Sequence, residues 1–395
     1  AVSNGSQIMH MMTVIIVGLA MGTTVTIGHS VGAKCMEQAE KIIGNTITLF
    51  MGIAVAFTVI LVVLVKPIVV LIATPQEAVA GTSIYLLICF IGIPFITAYN
   101  IISSIFRGLG DSKSPMYFIG IACVMNSALD YLFMGAFHMG AAGAALGTVC
   151  AQTFSVLVAL WVIRRRKTGI SLKKSDFKIE TAVIGQVLKI GIPVALQDGF
   201  IQVAFMIITV IANSRGVSDA AAVGIVEKVI SALFIVPSSM LATVSALSAQ
   251  NLGAGKEKRA TDTLHYATVI TTIYGMIVAV LIQFIAENVV GIFTSDTTVV
   301  TMGSAYIRSY IWDCIFAGIH FSFSGYFAAC GKSYIGFLHN IISITFVRVP
   351  GSYLASKYFT DTLYPMGLAA PAGSLVSVAI CVTAFILLKR KSRVA

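Results

Sequence analysis

The chain has 395 residues, of which 57% are hydrophobic and only 11% charged. Soluble chains carry about a quarter charged residues, so a water-soluble enzyme or binding module is excluded and an integral membrane protein is expected. The net charge of +10 is spread along the chain rather than gathered in one patch, so no nucleic-acid partner is expected.

Apolar stretches of about 20 residues or more, enough to cross a bilayer, run near 5–29, 43–72, 82–106, 115–137, 141–163, 186–212, 220–247, 263–292, 301–328, 334–356 and 366–388. They predict an all-α polytopic membrane protein with eleven spans. Of 26 Lys and Arg, 20 fall in or beside alternate loops and the C-terminal tail, among them Lys34, Lys41, Arg107, Lys113, Arg164–Lys167 and Lys389–Lys391 with Arg393. Three (Lys66, Arg215, Lys357) fall in the intervening loops and three (Lys228, Arg308, Arg348) inside apolar segments. This alternation follows the positive-inside rule and predicts a multi-pass protein of the inner (plasma) membrane with a cytoplasmic C-terminus. An odd number of spans then puts residue 1 outside, with no signal peptide to carry it there. The expectation is that a first helix and its loop, roughly 40 residues by repeat arithmetic, precede this sequence.

An internal repeat leads to the same expectation. Shifted by 221 residues, Ala1-Val2 falls on Ala222-Val223, Gly32-Ala33 on Gly253-Ala254, and Ser83 and Tyr85 on Ser304 and Tyr306. Phe106 and Gly110 likewise fall on Phe327 and Gly331. Span boundaries and basic loops stay in register, and parallel halves of this kind are a transporter architecture with the substrate path at their interface. The expected domains are an N-terminal lobe at 1–163, a cytoplasmic linker at 164–184 and a C-terminal lobe at 185–395. The basic linker Arg164–Glu180 reads as a connector facing lipid headgroups. The loop Gly253–Arg259 lacks phosphate-loop spacing and reads as a turn.

The feature that carries chemistry is Asp130, an acid in an apolar helix with Asn126 one turn before it. Intramembrane acids are expensive and mark ion or proton paths; the competing role is a helix-end acid that only caps or pairs. Asp198, Glu227 and Asp313 are further intramembrane acids that either line a cleft or pair with Lys228, Arg308 or Arg348, as buried charges must. His10 and His320 are read as packed and hydrogen-bonded rather than titrating. Met9, Met11, Met12, Met21 and the Phe-rich stretches suit an adaptable pocket and equally suit packing. Pro94, Pro193, Pro237, Pro350 and Pro371 fall inside spans and predict bent helices. The seven cysteines are scattered without metal-ligand or disulfide spacing, and no metal or cofactor is expected. No catalytic constellation appears, so the chain is not expected to be an enzyme.

The paired half-repeats carry G-A-x5-A loops at Gly32–Ala39 and Gly253–Ala260. Between and after them come FRGLGDSKSP at Phe106–Pro115, Asn126–Asp130, GAAGAALGT at Gly140–Thr148 and the GIP start at Gly191–Pro193. In this order they resemble the multidrug and toxic compound extrusion (MATE) family over essentially the whole chain. The resemblance implies a monomeric antiporter that rocks two six-helix lobes and exchanges organic cations for H⁺ or Na⁺. In the branch with its ion site in the N-terminal lobe, the ion is held by an Asp on helix 1, an Asn–Asp pair on helix 5 and a Thr on helix 6. Asn126, Asp130 and Thr148 match the last three, and the helix 1 acid has no position here. The branch with a Glu on helix 7 is matched less well: Gln197, Asp198 and Gln202 stand there, and with Asp313 they form the candidate substrate cleft. The alternative is a flippase for lipid-linked or anionic saccharides, which needs basic residues in the cleft. Asp130 and the absence of basic residues from the N-terminal spans disfavour it, while Arg308 and Arg348 favour it.

Overall fold

The computed structural model describes residues 2–71, 76–165 and 171–394, and within these the eleven apolar stretches are helical apart from short breaks. Arg166 and Lys167, within the expected linker, lie outside the described residues, as do the side chains of Lys391 and Arg393. The first half consists of α1 (Val2–Gly32), α2 (Met36–Leu71), α3 (Gln76–Ile91), α4 (Ile93–Gly108), α5 (Lys113–Asp130) and α6 (Gly140–Arg165). A π-helical turn, Tyr131–Ala136, extends α5, and a 3₁₀ turn, Lys174–Phe177, lies in the linker. Then come α7 (Thr181–Asn213), α8 (Val217–Leu233), α9 (Ile235–Gly253), α10 (Glu257–Gly291), α11 (Thr297–Tyr310), α12 (Asp313–Ala329) and α13 (Tyr334–Ser343). A second π turn, Ile344–Arg348, leads into α14 (Val349–Tyr358), and α15 (Tyr364–Val394) completes the chain.

Seven helices among the described residues are individually long and apolar enough to cross a membrane, and two bent pairs bring the total to nine. The bent pairs lie where Pro94 and Pro237 predict bends. α3 and α4 meet at 48° around Gly92, just before Pro94, and α8 and α9 meet at 40° around Phe234, just before Pro237. The expected spans 301–328 and 334–356 are also broken: the first at Ile311-Trp312, the second at the π turn ending in Arg348. Polar residues at these breaks (Arg308, Asp313, Arg348) explain why neither reaches the apolar length of the others. Pro193 and Pro371 stay inside α7 and α15, and Pro67, which the sequence reading passed over, lies inside α2.

The repeat is visible in backbone detail. α4 and α12 end in the same 6→1, 5→2 cap: Asp111 N donates to Phe106 O at 2.9 Å and Lys332 N to Phe327 O at 2.8 Å. These caps require a left-handed residue, supplied by Gly110 at φ 90° and Gly331 at φ 69°. A hydroxyl tie also recurs, Thr24 Oγ1 to Ser104 O at 3.0 Å in one half and Ser245 Oγ to Gly325 O at 3.2 Å in the other. Both ties join positions that correspond under the 221-residue shift. The turn after α1 has Lys34 at φ 60°, and its counterpart after α9 has Gly255 at φ 70°.

The chain divides into two compact units, Ala1–Ala195 with Gly253–Gly255, and Leu196–Leu252 with Lys256–Ala395. The division falls inside α7 rather than in the polar linker. The first half of α7 joins the first unit because small residues let it approach α1: a Cβ at Gly18 would stand 2.8 Å from Ala195 N, and one at Gly191 would stand 3.1 Å from Leu19 Cα. In the second unit, buried Val226, Ile230, Tyr306, Ile307 and Tyr310 belong to one apolar cluster.

The described part of the linker is strapped onto α2, and of residues 171–180 only Asp176 is buried. Asn45 Nδ2 donates to Asp176 O at 3.1 Å, and its Oδ1 accepts from Glu180 N at 2.7 Å, at the start of α7. Thr48 Oγ1 donates to Phe177 O at 3.1 Å, and Glu40 Oε1 accepts from Ser171 N at 2.6 Å. Asp176 is buried and closes its own turn by accepting from Lys173 N at 2.7 Å. Replacing Asn45 by Ala leaves the buried Asp176 carbonyl without this partner, at a cost of about 1–3 kcal/mol. Trypsin cleavage at Lys173, Lys174 and Lys178 should therefore speed up severalfold; an unchanged rate would show that the strap holds without Asn45.

Candidate ion-binding site

Asp111, in the loop before α5, accepts from Lys113 N and Ser114 N at 3.0 Å each and so caps that helix. From there α5 is apolar until Asn126 and Asp130, its last residue before the π turn. π turns inside membrane helices often mark functional positions. Asp130 is half-buried, its Oδ1 is enclosed without a hydrogen-bond partner, and its side chain makes no cap. Asn126 is also half-buried, with an enclosed Nδ2 that has no partner. Unsatisfied buried polar atoms are rare in folded proteins, and here two occur one helical turn apart.

The α6 residue that meets this carboxylate is Gly147. A Cβ there would overlap Asp130 Oδ1 and stand 3.3 Å from its Cγ and 3.4 Å from its backbone nitrogen. Thr148, its neighbour, donates its hydroxyl to Ala144 O at 3.0 Å within α6. Thr148 can thus offer only hydroxyl lone pairs to a bound ion. Tyr85 on α3, buried against Gly5, lies within electrostatic reach of Asp130. The sequence reading missed Gly147 and Tyr85, although the GAAGAALGT run signalled close approach. Arg107 lies beside a loop, as the charge pattern predicts. Arg107 stands in the last turn of α4, donates from Nη2 to Ser104 Oγ at 3.0 Å and encloses its Nε.

Of the two roles left open for the acids of the second unit, cleft-lining or pairing, no ion pair of Asp198, Glu227 or Asp313 with Lys228, Arg308 or Arg348 forms among the described residues. Lys228 is exposed beside half-buried Glu227, whose carboxylate instead lies 3.4 Å from Thr209 Oγ1. Arg308 pairs with Glu287 at 3.2 Å. Arg348 is buried, donates to the Tyr310 hydroxyl, and stacks its guanidinium 4.8 Å above the Phe205 ring. Asp313 and Gln197 are buried, whereas Asp198 and Gln202 are half-buried. Both side-chain polar atoms of Gln197 and Oδ1 of Asp313 have no hydrogen-bond partner. His320 is packed, as read from the sequence, but against a second histidine. Its ring centroid lies 5.4 Å from that of His339, whose Nε2 meets Ser324 Oγ at 2.8 Å. His10 is exposed, Met9 and Met21 are core residues, and Met11 is exposed. All seven cysteines are free. No cluster of His, Cys, Asp or Glu able to hold a metal occurs among the described residues.

Asp130 and Asp313 thus each keep a carboxylate oxygen without a hydrogen-bond partner. The MatE family model matches residues 1–132 and 193–354. The chain is 29% identical over 354 residues to the probable multidrug resistance protein YpnP of Bacillus subtilis, covering 89% of this chain and 79% of the relative. It is 24% identical over 385 residues to YoeA of the same organism, another probable multidrug resistance protein, covering 96% and 83%. Among solved structures, it matches a multidrug resistance MATE transporter in an outward-facing conformation with TM-score 0.91 at 18% identity, covering 98% of this chain and 88% of that one. A Pyrococcus furiosus transporter of the MOP superfamily, described as having a binding pocket of reversed polarity, also gives TM-score 0.91 at 18% identity, covering 99% and 87%. The fold is shared with these structures, and by its match to the family model the chain belongs to the MATE family of membrane transporters.

Proposed function

We propose that the chain is a multidrug exporter that works as a cation-coupled antiporter, with H⁺ or Na⁺ bound at Asp130, Asn126 and Thr148 in the N-terminal unit. The observation that carries this reading is the Asp130 carboxylate, which has an enclosed oxygen without a partner in an otherwise apolar helix. A buried carboxylate is destabilised unless a proton or a cation neutralises it. Occupancy by the ion and occupancy by the drug are then linked, each changing the affinity of the other by the same factor. Names of the relatives support export of multiple drugs. The eleven helical stretches cross the membrane in this reading, with the C-terminus in the cytoplasm and the basic loops on the same side. A single chain in the bilayer exports a small organic cation.

The test uses the full chain in proteoliposomes with tetraphenylphosphonium at equal concentration on both sides. An imposed H⁺ or Na⁺ gradient should drive its movement against its own gradient, and collapsing that gradient should stop it. Movement indifferent to both gradients would overturn the coupling. A second reading, export of anionic or lipid-linked saccharides, is favoured by Arg348, which is buried with its Nε unpartnered. Saturable binding of a polyprenyl pyrophosphate, with none of tetraphenylphosphonium, would select it.

A further inference from the structure

We infer that Gly147 is a positioning residue for the ion site, holding the Asp130 carboxylate against the backbone of α6. This inference rests on the assignment of Asp130 as the coupling acid. A side chain at 147 has no room: its Cβ would overlap Asp130 Oδ1. The oxygen that fills this space is the one left without a hydrogen-bond partner. Asp130 ends the regular part of α5, where the π turn begins, so the carboxylate stands where the chain re-aims from α5 toward α6. Another glycine of this run, Gly143, has a different neighbour. A Cβ at Gly143 would stand 3.1 Å from the Phe133 backbone carbon and 3.1 Å from its Cβ, an apolar contact with the π turn. Gly143 therefore serves packing, whereas Gly147 meets the titratable group itself.

The position of a coordinating oxygen matters because ion and proton sites tolerate little displacement: a shift of about 1 Å in a functional group costs up to about 100-fold in rate. A methyl group at 147 turns Asp130 away from α6. The ion loses an oxygen held in place, while the drug site keeps its own contacts.

The experiment is Gly147→Ala in the full chain, reconstituted with Gly143→Ala and Asp130→Asn as comparisons. Transport of tetraphenylphosphonium is measured across a range of coupling-ion concentrations. For Gly147→Ala the half-saturating ion concentration should move about tenfold or more, with the KM for tetraphenylphosphonium within about twofold. Gly143→Ala should lower thermal stability without moving the ion dependence. A folded Gly147→Ala protein with the wild-type ion dependence would overturn the inference. If Gly147→Ala fails to yield active protein, a double-mutant cycle of thermal stability decides. The cost of Gly147→Ala should largely vanish in an Asp130→Ala background, and an equal cost in both backgrounds would overturn the inference. Loss of coupling in Asp130→Asn beside wild-type behaviour in Gly147→Ala refutes this inference alone. Retained coupling in Asp130→Asn refutes the assignment beneath it.

Discussion

Replacing Asp130 by Asn should uncouple transport from the ion gradient while leaving the protein folded. Asn has nearly the same shape but carries no charge to be neutralised and no proton to give up. Coupled sites usually change each other's affinity about 5- to 150-fold. In Asp130→Asn that ratio should fall to about one, so that tetraphenylphosphonium binds equally well at all coupling-ion concentrations. Folding should survive, because Asp130 makes no cap hydrogen bond and an uncharged side chain is easier to bury. The contrasting variant is Asp111→Asn. Asp111 accepts from two backbone amides at the start of α5, and the amide oxygen of Asn caps nearly as well. It should retain full coupling. Gradient-driven drug movement by Asp130→Asn at the wild-type rate would remove Asp130 from the mechanism.

The second large effect is structural. Arg215, in the turn between α7 and α8, forms an ion pair with Asp219 through Nε at 2.6 Å, with side-chain exposures of 6% and 12%. Its Nη1 donates to Ser356 O at 2.9 Å and Phe359 O at 3.0 Å, and its Nη2 to Thr360 O at 2.9 Å. One guanidinium thus fastens the α7–α8 turn to the end of α14 and the loop before α15. Arg215→Ala leaves a nearly buried carboxylate without its cation, and breaking such a pair costs about 3–5 kcal/mol. Lys restores the charge but not the planar fork of donors, so Arg215→Lys should recover only part of the loss. Denaturant titration of the purified protein should rank wild type above Lys and Lys above Ala. An Ala variant within about 1 kcal/mol of wild type would mean that the loop is held by other contacts.

What the sequence revealed and what it hid separate along physical lines. Long apolar runs, alternating basic loops and the 221-residue register were legible because hydrophobicity and charge distribution act over many residues. Asp130 was legible because a lone acid in such a run is conspicuous. Helix breaks were partly legible: Pro94 and Pro237 pointed near two bends and Pro350 near the second π turn, but no residue announced the break at Ile311-Trp312 or the first π turn, which depend on packing against neighbours. Linker composition suggested exposure, which holds for residues 171–180 apart from Asp176, but nothing in it showed that Asn45 holds the strap across more than a hundred residues of sequence. Long-range hydrogen bonds of this kind leave no local pattern. The pairing of His320 with His339, and of Arg215 with carbonyls beyond α14, was hidden for the same reason. Gly147 was visible as one of several small residues; only the fold shows which of them touches an acid.

The turn after α1 and its counterpart after α9 bend the backbone to the same left-handed angle, one through Lys34 and the other through Gly255. A non-glycine residue in this conformation is disfavoured by about 1–2 kcal/mol. The first half therefore retains a strained lysine where its twin shows that a relaxed glycine fits. If the ammonium of Lys34 helps to set which way the chain enters the bilayer, orientation during biogenesis and comfort of the finished fold compete at this single corner, and the two halves have resolved that competition in opposite ways.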